Sequence, residues 1–415
     1  MTTSREEILK VTSAASLTDL AARANGGSVL SASDEFFVPK ESLIRSTEPV
    51  SRKGESGERG GMYDGWETRR RRDGESDWVI VRLGEPGLVD HIVVDTAFFR
   101  GNYPAAITIE TIYHLGHPTN DELEQNQRWT TAVAHGACQG DSKNEFSLES
   151  PVAATHVRLW IHPDGGVARL HVLGRVLPDP RRHHTNSFDV AALDNGGTVV
   201  DQSDNFFNPA SNVIRRGAAS TTKDGWETRR RRGPGHDWLR VRLGSEARIQ
   251  QIVIDTSCYI GNAPQQFQVS VCTSTEENPG EDAGWTTLLG KQSLLADQVH
   301  YFIPEVSTTA THVQLDIFPD GGLARFRVIG LPTLQAREET ALRWLAALPI
   351  DTATELLRQI GSTMDPSLFV SAAGSAHSIS TLVEALDAAS DSAVGETLCR
   401  LVNVEEELRE RVATW

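Results

Sequence analysis

Asp64-Gly65-Trp66-Glu67-Thr68-Arg69-Arg70-Arg71-Arg72 recurs unchanged as Asp224-Gly225-Trp226-Glu227-Thr228-Arg229-Arg230-Arg231-Arg232. Nine identical residues, four of them consecutive arginines, mark an internal duplication. Identity continues beyond the motif: of the twenty-one positions in 64–84 and 224–244, fifteen are the same. Four adjacent guanidinium groups are a poor way to build a core, because buried charge is costly unless paired. Two identical runs therefore point to a specific acidic partner.

The surrounding blocks repeat in the same order. Ser33-Asp34-Glu35-Phe36-Phe37 opens the first copy and Ser203-Asp204-Asn205-Phe206-Phe207 the second. From Phe37 to Asp64 is 27 positions and from Phe207 to Asp224 is 17, so the first copy carries a ten-residue insertion. Its Gly-, Ser- and charge-rich content between Ser51 and Gly61 predicts a surface loop. After the nonapeptide, 77–84 and 237–244 read as strands, and His91–Thr96 and Gln251–Thr256 as buried strands. Gly101-Asn102-Tyr103-Pro104 and Gly261-Asn262-Ala263-Pro264 read as turns. Ile107–Thr111 and Phe267–Val271 alternate as half-exposed strands do. Each copy closes on a Pro-Asp-Gly-Gly turn, Pro163–Gly166 and Pro319–Gly322, which reads as the bend of a hairpin.

Many short strands with turn signals and little helical period predict an all-β fold: two tandem, duplicated jelly-roll β-sandwiches. A period near 160 residues is too long for a solenoid. The expected domains are 16–176, a Pro-rich linker 177–187, and 188–332. A small helical extension, 336–415, follows and offers no catalytic constellation. In it, Thr352–Glu355 predicts a capping box, Gly361 a stop, and Asp365-Pro366 a helix start. Residues 1–15 read as a polar lead-in.

The chain has 415 residues and a formal charge of −16, from 40 Lys and Arg against 56 Asp and Glu. Nucleic acid and anionic membrane are unfavourable partners for that balance. A small anion in a pocket reconciles it with the local arginine runs. Cys138, Cys258, Cys272 and Cys399 form no Cys-x-x-Cys pair and do not match between copies, which fits a reducing compartment. No apolar run approaches the roughly 20 residues of a membrane span. The expected location is cytoplasmic. Assembly into a homo-oligomer is expected, without a number of subunits.

The paired Asp-Gly-Trp-Glu-Thr-Arg-Arg blocks, the paired Pro-Asp-Gly-Gly-x-Ala-Arg blocks and the Ser-Asp-x-Phe-Phe openings together resemble allantoicase over roughly residues 16–332. The resemblance implies jelly rolls of the galactose-binding type. It implies hydrolysis of allantoate to ureidoglycolate and urea in purine (allantoin) degradation. A different class of function, a non-catalytic tandem carbohydrate-binding protein, uses the same fold.

Allantoate carries one carboxylate and two ureido groups on one carbon. Arginine's planar fork suits the carboxylate. If the run is extended, Arg69 and Arg71 face one way and Arg70 and Arg72 the other. Arg69, Arg71, Arg229 and Arg231 are assigned to the substrate, and the alternate pairs to salt bridges. Trp66, Trp226, Asp164, Asp320, Arg169 and Arg325 are further candidates for binding, although such Trp residues often serve the core and such Asp residues the turns. Releasing urea needs a proton given and a proton taken. Glu67, Glu227, Asp64, Asp224 and His162 are the candidate catalytic groups, with Glu67 or its equivalent assisting departure of a ureido group. Beside several arginines its pKa is expected to be lowered. The copies differ at His162 against Phe318, Ser76 against His236, and Trp160 against Asp316. No cofactor is expected, although a divalent-metal requirement is conceivable. His114/His117 and His183/His184 resemble metal ligands only weakly; jelly rolls of this type sometimes hold a calcium ion near their entry loop, for which Asp34 and Asp204 would be the place.

Overall fold

The computed structural model describes residues 17–57, 60–182, 186–388 and 394–404. The polar lead-in 1–15, His183 and His184 lie outside the described residues. The first repeat contains β1 (Thr18–Asp19), β2 (Ser28–Ala32), β3 (Ser56–Gly57), β4 (Gly60–Gly61), β5 (Trp66–Glu67), β6 (Asp77–Asp95), β7 (Ala106–Ile112), α1 (Asn120–Glu124), β8 (Thr130–Ala137), β9 (Lys143–His162), β10 (Gly166–Val167) and β11 (Arg169–Val176). The second contains β12 (Phe188–Asp189), β13 (Thr198–Gln202), β14 (Trp226–Glu227), β15 (Asp237–Asp255), β16 (Gln266–Cys272), β17 (Thr286–Ser293), β18 (Val299–Phe302), β19 (Thr309–Phe318), β20 (Gly322–Leu323) and β21 (Arg325–Pro332).

The two strands expected at 77–84 and 91–96 are one element, β6, of 19 residues. Its register against β9 shifts between Arg82 and Gly87 and again between Val89 and His91. Such irregularities bend a strand and let it change layers. The first part of β6 pairs with β2 and the end of β9, and the second part with β11 and the start of β9. One layer therefore runs β2-β6-β9-β7-β8 and the other β1-β11-β6-β9. Inward residues of both layers, including Val79, Val81, Ile92, Val94, Leu159, Ile161, Leu170 and Val172, form one core. The second repeat does the same through β15, with layers β13-β15-β19-β16-β17 and β12-β21-β15-β18. Both are jelly-roll β-sandwiches.

The Pro-Asp-Gly-Gly block is not a hairpin. β9 and β11 do not pair with each other; they flank β6 on opposite edges. The turn instead lays β10 against β5, with Val167 opposite Trp66 and Gly166 opposite Glu67. Only glycine suits the crossing: Gly165 has φ 137°, and a Cβ there would lie 2.7 Å from the Asn102 carbonyl oxygen. The insertion forms a short hairpin, with Ser56 opposite Gly61.

The helices beyond the sandwiches are α2 (Leu334–Ala347), α3 (Ile350–Ile360), α4 (Pro366–Ser375), α5 (Ile379–Asp387) and α6 (Val394–Leu401). The chain divides into two compact units, Met1–Pro178 with Leu342–Gly395, and Asp179–Ala341 with Glu396–Trp415. Within the first, Ala353, Leu356, Leu357 and Ile360 give α3 a buried stripe at helical spacing. Buried Trp344 donates its indole N–H to the Tyr113 hydroxyl at 2.7 Å, and Arg128 meets Glu355 at 2.8 Å. The expected capping box at Thr352 is absent: the N-cap is Pro349, three residues earlier, and the Thr352 hydroxyl donates to the Tyr113 carbonyl. Gly361 ends α3 in the left-handed region, and Asp365 caps α4 with Pro366 in its first turn. All four cysteines are free thiols, and among the described residues no helix is long and apolar enough to cross a membrane.

Candidate active site

Four segments meet at one end of each sandwich. In the first repeat, the indole N–H of Trp66 donates to the Asp34 carbonyl at 2.8 Å. The Thr68 amide donates to the Gly165 carbonyl at 3.1 Å, and the Arg71 amide to the Asp164 carboxylate at 2.7 Å. The Gly166 amide closes the set on the Asn102 carbonyl at 2.7 Å. The second repeat has the same bonds, from Trp226 to Asp204, Thr228 to Gly321, Arg231 to Asp320 and Gly322 to Asn262. The repeated motifs are thus the parts of one frame, built twice.

The arginine run is not in a strand, because β5 ends at Glu67. Its ion pairs fall on the opposite members from those expected. Arg69 meets Asp34 at 2.7 Å and lies over the Phe36 ring, 5.3 Å from its centre. Arg71 meets Asp77 at 2.9 Å and Asp73 at 2.9 Å. Arg229 and Arg231 likewise pair with Asp204 and Asp237. Among the described residues, exposed Arg70, Arg72, Arg230 and Arg232 have no acidic partner. Burial would raise the Asp34 and Asp204 carboxyls, but arginine and backbone N–H bonds hold both below the usual range. These carboxylates are committed to guanidinium groups, which corrects the expectation of a calcium ion there.

Glu67 is buried, and its Oε1 accepts from the Asn102 side chain at 2.5 Å. Burial pushes its carboxyl above the usual glutamate value, and the Asn102 bond offsets only part of that. The expected lowering fails because burial, and no neighbouring arginine, dominates the surroundings of this carboxyl. Glu227 and Asn262 repeat the bond at 2.7 Å, with Glu227 half-buried. Neither asparagine is among the sequence candidates for the site. The signal was there, since Gly-Asn recurs before Pro in both copies, but a turn explained it sufficiently.

Other candidates serve the frame. Trp66 and Trp226 are wholly buried, so neither ring has a face for a ligand. Arg169, 1% exposed, meets Asp64 at 2.8 Å and donates to the carbonyls of Thr47, Asp64 and Ala168. Asp64 also accepts from the Val50 amide at 3.0 Å, closing the inserted loop. Arg325 donates to the carbonyls of Gly217, Asp224 and Ala324, whereas the Asp224 carboxylate is held by Ser220 and Thr221.

His162 is fixed at both ring nitrogens, by the Ser76 hydroxyl at 2.8 Å and the Thr108 hydroxyl at 2.9 Å. Burial and nearby His135 lower its pKa, favouring the neutral ring. The second repeat rebuilds this spot with other residues: His236 bonds to buried Asp316 at 3.0 Å and packs on Phe318. The three exchanges noted between the copies are therefore one coupled replacement. A cleft of 640 Å³ elsewhere in the first unit is lined by Tyr113, Arg128 and Thr352, and by no residue of the nonapeptide.

The sequence profile described as allantoicase repeat matches residues 18–177 and 188–333. A probable allantoicase of Streptomyces coelicolor is 41% identical over 338 residues, covering 78% of this chain and 88% of that relative. Allantoicase of Saccharomyces cerevisiae is 37% identical over 316 residues, covering 74% of this chain and 91% of the relative. The crystal structure of S. cerevisiae allantoicase aligns with a TM-score of 0.66 at 35% identity, covering 76% of this chain and 93% of that one.

Proposed function

The chain belongs to the allantoicase family, and on that premise we propose how its first repeat carries the reaction. The protein hydrolyses allantoate to ureidoglycolate and urea in purine degradation. Family membership favours this over carbohydrate binding, which rested on fold alone. The reading of the site is carried by one observation: a buried glutamate, held by an asparagine, three and five residues before two arginines that have no acidic partner among the described residues.

The substrate carboxylate is held by Arg70 and Arg72, which have no acidic partner among the described residues. Arg69 and Arg71, fixed by Asp34 and Asp77, set the shape of the loop. Glu67, whose hold on a proton burial strengthens, gives that proton to one ureido nitrogen as the bond from that nitrogen to the central carbon breaks. The lone pair of the remaining ureido nitrogen forms a C=N bond, and urea departs. Water then adds its oxygen to the carbon and returns a proton to Glu67. Asp64, Asp224, Arg169, Arg325, Trp66 and Trp226 hold the frame. Four free thiols support action in the cytoplasm.

Purified protein is expected to release urea from allantoate; absence of release under all conditions, metal-supplemented ones included, overturns the assignment. Replacing Arg70 and Arg72 together with Ala is expected to raise KM about 10- to 100-fold, the scale of a charge-assisted hydrogen bond. An unchanged KM would move the carboxylate to other groups. His162→Phe, which installs the residue of the second copy, is expected to keep kcat within about fivefold, since a general acid or base contributes at least about 10²-fold. A loss of that size would return His162 to the chemistry.

A further inference from the structure

Glu67 is the middle of three residues that lie side by side. Val38 pairs with it on one side and Gly166 on the other. Residues directly opposite in antiparallel strands project to the same face, about 5 Å apart. Val38 is buried, so its methyl groups flank the Glu67 side chain on the first side. Gly166 has no side chain to offer on the second, and Phe99 fills the space: a Cβ on Gly166 would lie 2.0 Å from the Phe99 ring. Phe99 is wholly buried, and Tyr63 stacks on it with ring centres 4.8 Å apart.

The second copy keeps this row of three and changes its lining. Asn208 and Gly322 lie on either side of Glu227, and the Tyr259 ring covers Gly322 as Phe99 covers Gly166. The Asn208 side-chain amide and the Tyr259 hydroxyl both donate to the Thr222 carbonyl, at 3.2 and 2.7 Å. They share one acceptor, so Val38 against Asn208 and Phe99 against Tyr259 are one coupled replacement, apolar in the first repeat and polar in the second. The asparagine bond and the arginine run are present in both copies and do not distinguish them. Burial does: Glu67 is 9% exposed, whereas Glu227 is half-buried.

Charged groups on the segments around Glu67 are turned to partners of their own: Asp34 to Arg69, Lys40 to Glu35, Asp64 to Arg169, Arg100 to Asp141, and Asp164 to the Arg71 amide. Burial is accordingly the leading influence on its carboxyl. We propose that Val38 and Phe99 are positioning residues, which keep water from Glu67 and so make the first repeat the one that supplies the proton. This rests on the reading above that Glu67 is the acid. A carboxyl shut off from water holds its proton to higher pH, and an acid is most effective when its pKa lies near the working pH. The polar lining of the second copy withdraws that condition while keeping the same frame.

The test exchanges the lining. Val38→Asn with Phe99→Tyr installs the pair of the second copy. It is expected to move the falling limb of kcat/KM to lower pH by about one unit, a loss of about tenfold along that limb, at unchanged circular dichroism. The mirror exchange, Asn208→Val with Tyr259→Phe, is expected to leave the limb in place. A limb that stays put in the first exchange, or moves as far in the mirror one, overturns the proposal and leaves Glu67 as the acid. A limb that persists in Glu67→Gln removes Glu67 from that role, and the proposal with it. Should the double variant fail to fold, infrared titration of the wild type against Glu67→Gln decides. The carboxyl band of Glu67 is expected to persist above the pH at which a water-exposed glutamate, of pKa about 4.3, has ionised; a band lost together with those of exposed glutamates overturns the proposal.

Discussion

Glu67→Gln is expected to lower kcat by about 10²- to 10⁴-fold, the range for loss of a positioned acid or base, with KM changed little. Glutamine is isosteric and still accepts the Asn102 bond, so the frame stays closed. The thermal midpoint at pH 7 is expected to be no lower than that of the wild type. The folded carboxyl is raised by burial, so its contribution to stability is full below the unfolded value of about 4.3 and is lost as pH rises through the folded value. At neutral pH the ionised group costs stability that glutamine does not. A structural role would show the reverse, a variant that melts earlier and keeps its turnover. Because Glu67 acts first as an acid, kcat/KM is expected to fall as pH rises through its pKa, and Glu67→Gln to remove that limb. Asn102→Ala removes the bond that favours the ionised form, and so is expected to move the limb to higher pH. Glu227→Gln is the comparison: a loss equal to that of Glu67→Gln would mean that the chemistry is shared by both repeats. Near-full turnover by Glu67→Gln would take the residue out of the mechanism.

Arg169→Met is expected to destabilise the protein by about 3–5 kcal/mol, the cost of leaving one member of a buried ion pair alone, and to lower the melting midpoint by on the order of 10 °C. Asp64 would keep only the Val50 amide and the exposed Arg45 at 3.3 Å. Burial alone would raise Asp64, but Arg169, the Val50 amide and Arg45 hold its carboxyl below the usual range. Its contribution is therefore present above about pH 3.9 and is lost as pH falls through the depressed value, so variant and wild type are expected to converge in acid. Arg325→Met is expected to cost less, because Arg325 serves backbone carbonyls and leaves no buried carboxylate behind. Asp64→Asn in the Arg169→Met background is expected to recover part of the loss. A scanning-calorimetry midpoint for Arg169→Met within 2 °C of the wild type would sink this account.

Sequence alone settles the duplication, the sandwich class and the family, because these rest on local signals: repeated blocks, alternation, and turn residues at fixed spacing. It also finds the Asp34, Glu67 and Asp164 positions, since recurrence in both copies marks them without any geometry. The caps of α3 and α4 divide on the same principle. Gly361 and Asp365 act on their own backbone and were legible, whereas Thr352 was claimed by the distant Tyr113 carbonyl. What the tertiary structure decided is partnership across distance. Which arginines are paired depended on Asp34 and Asp77, brought in from another strand and loop. Whether Glu67 is raised or lowered depended on its burial. The Pro-Asp-Gly-Gly turn looked like a hairpin because a turn signal reports a bend and not which strands it joins. Register, burial and ion pairing are properties of residues far apart in the chain, and a local pattern carries no information about which of several equivalent charges a distant carboxylate will reach.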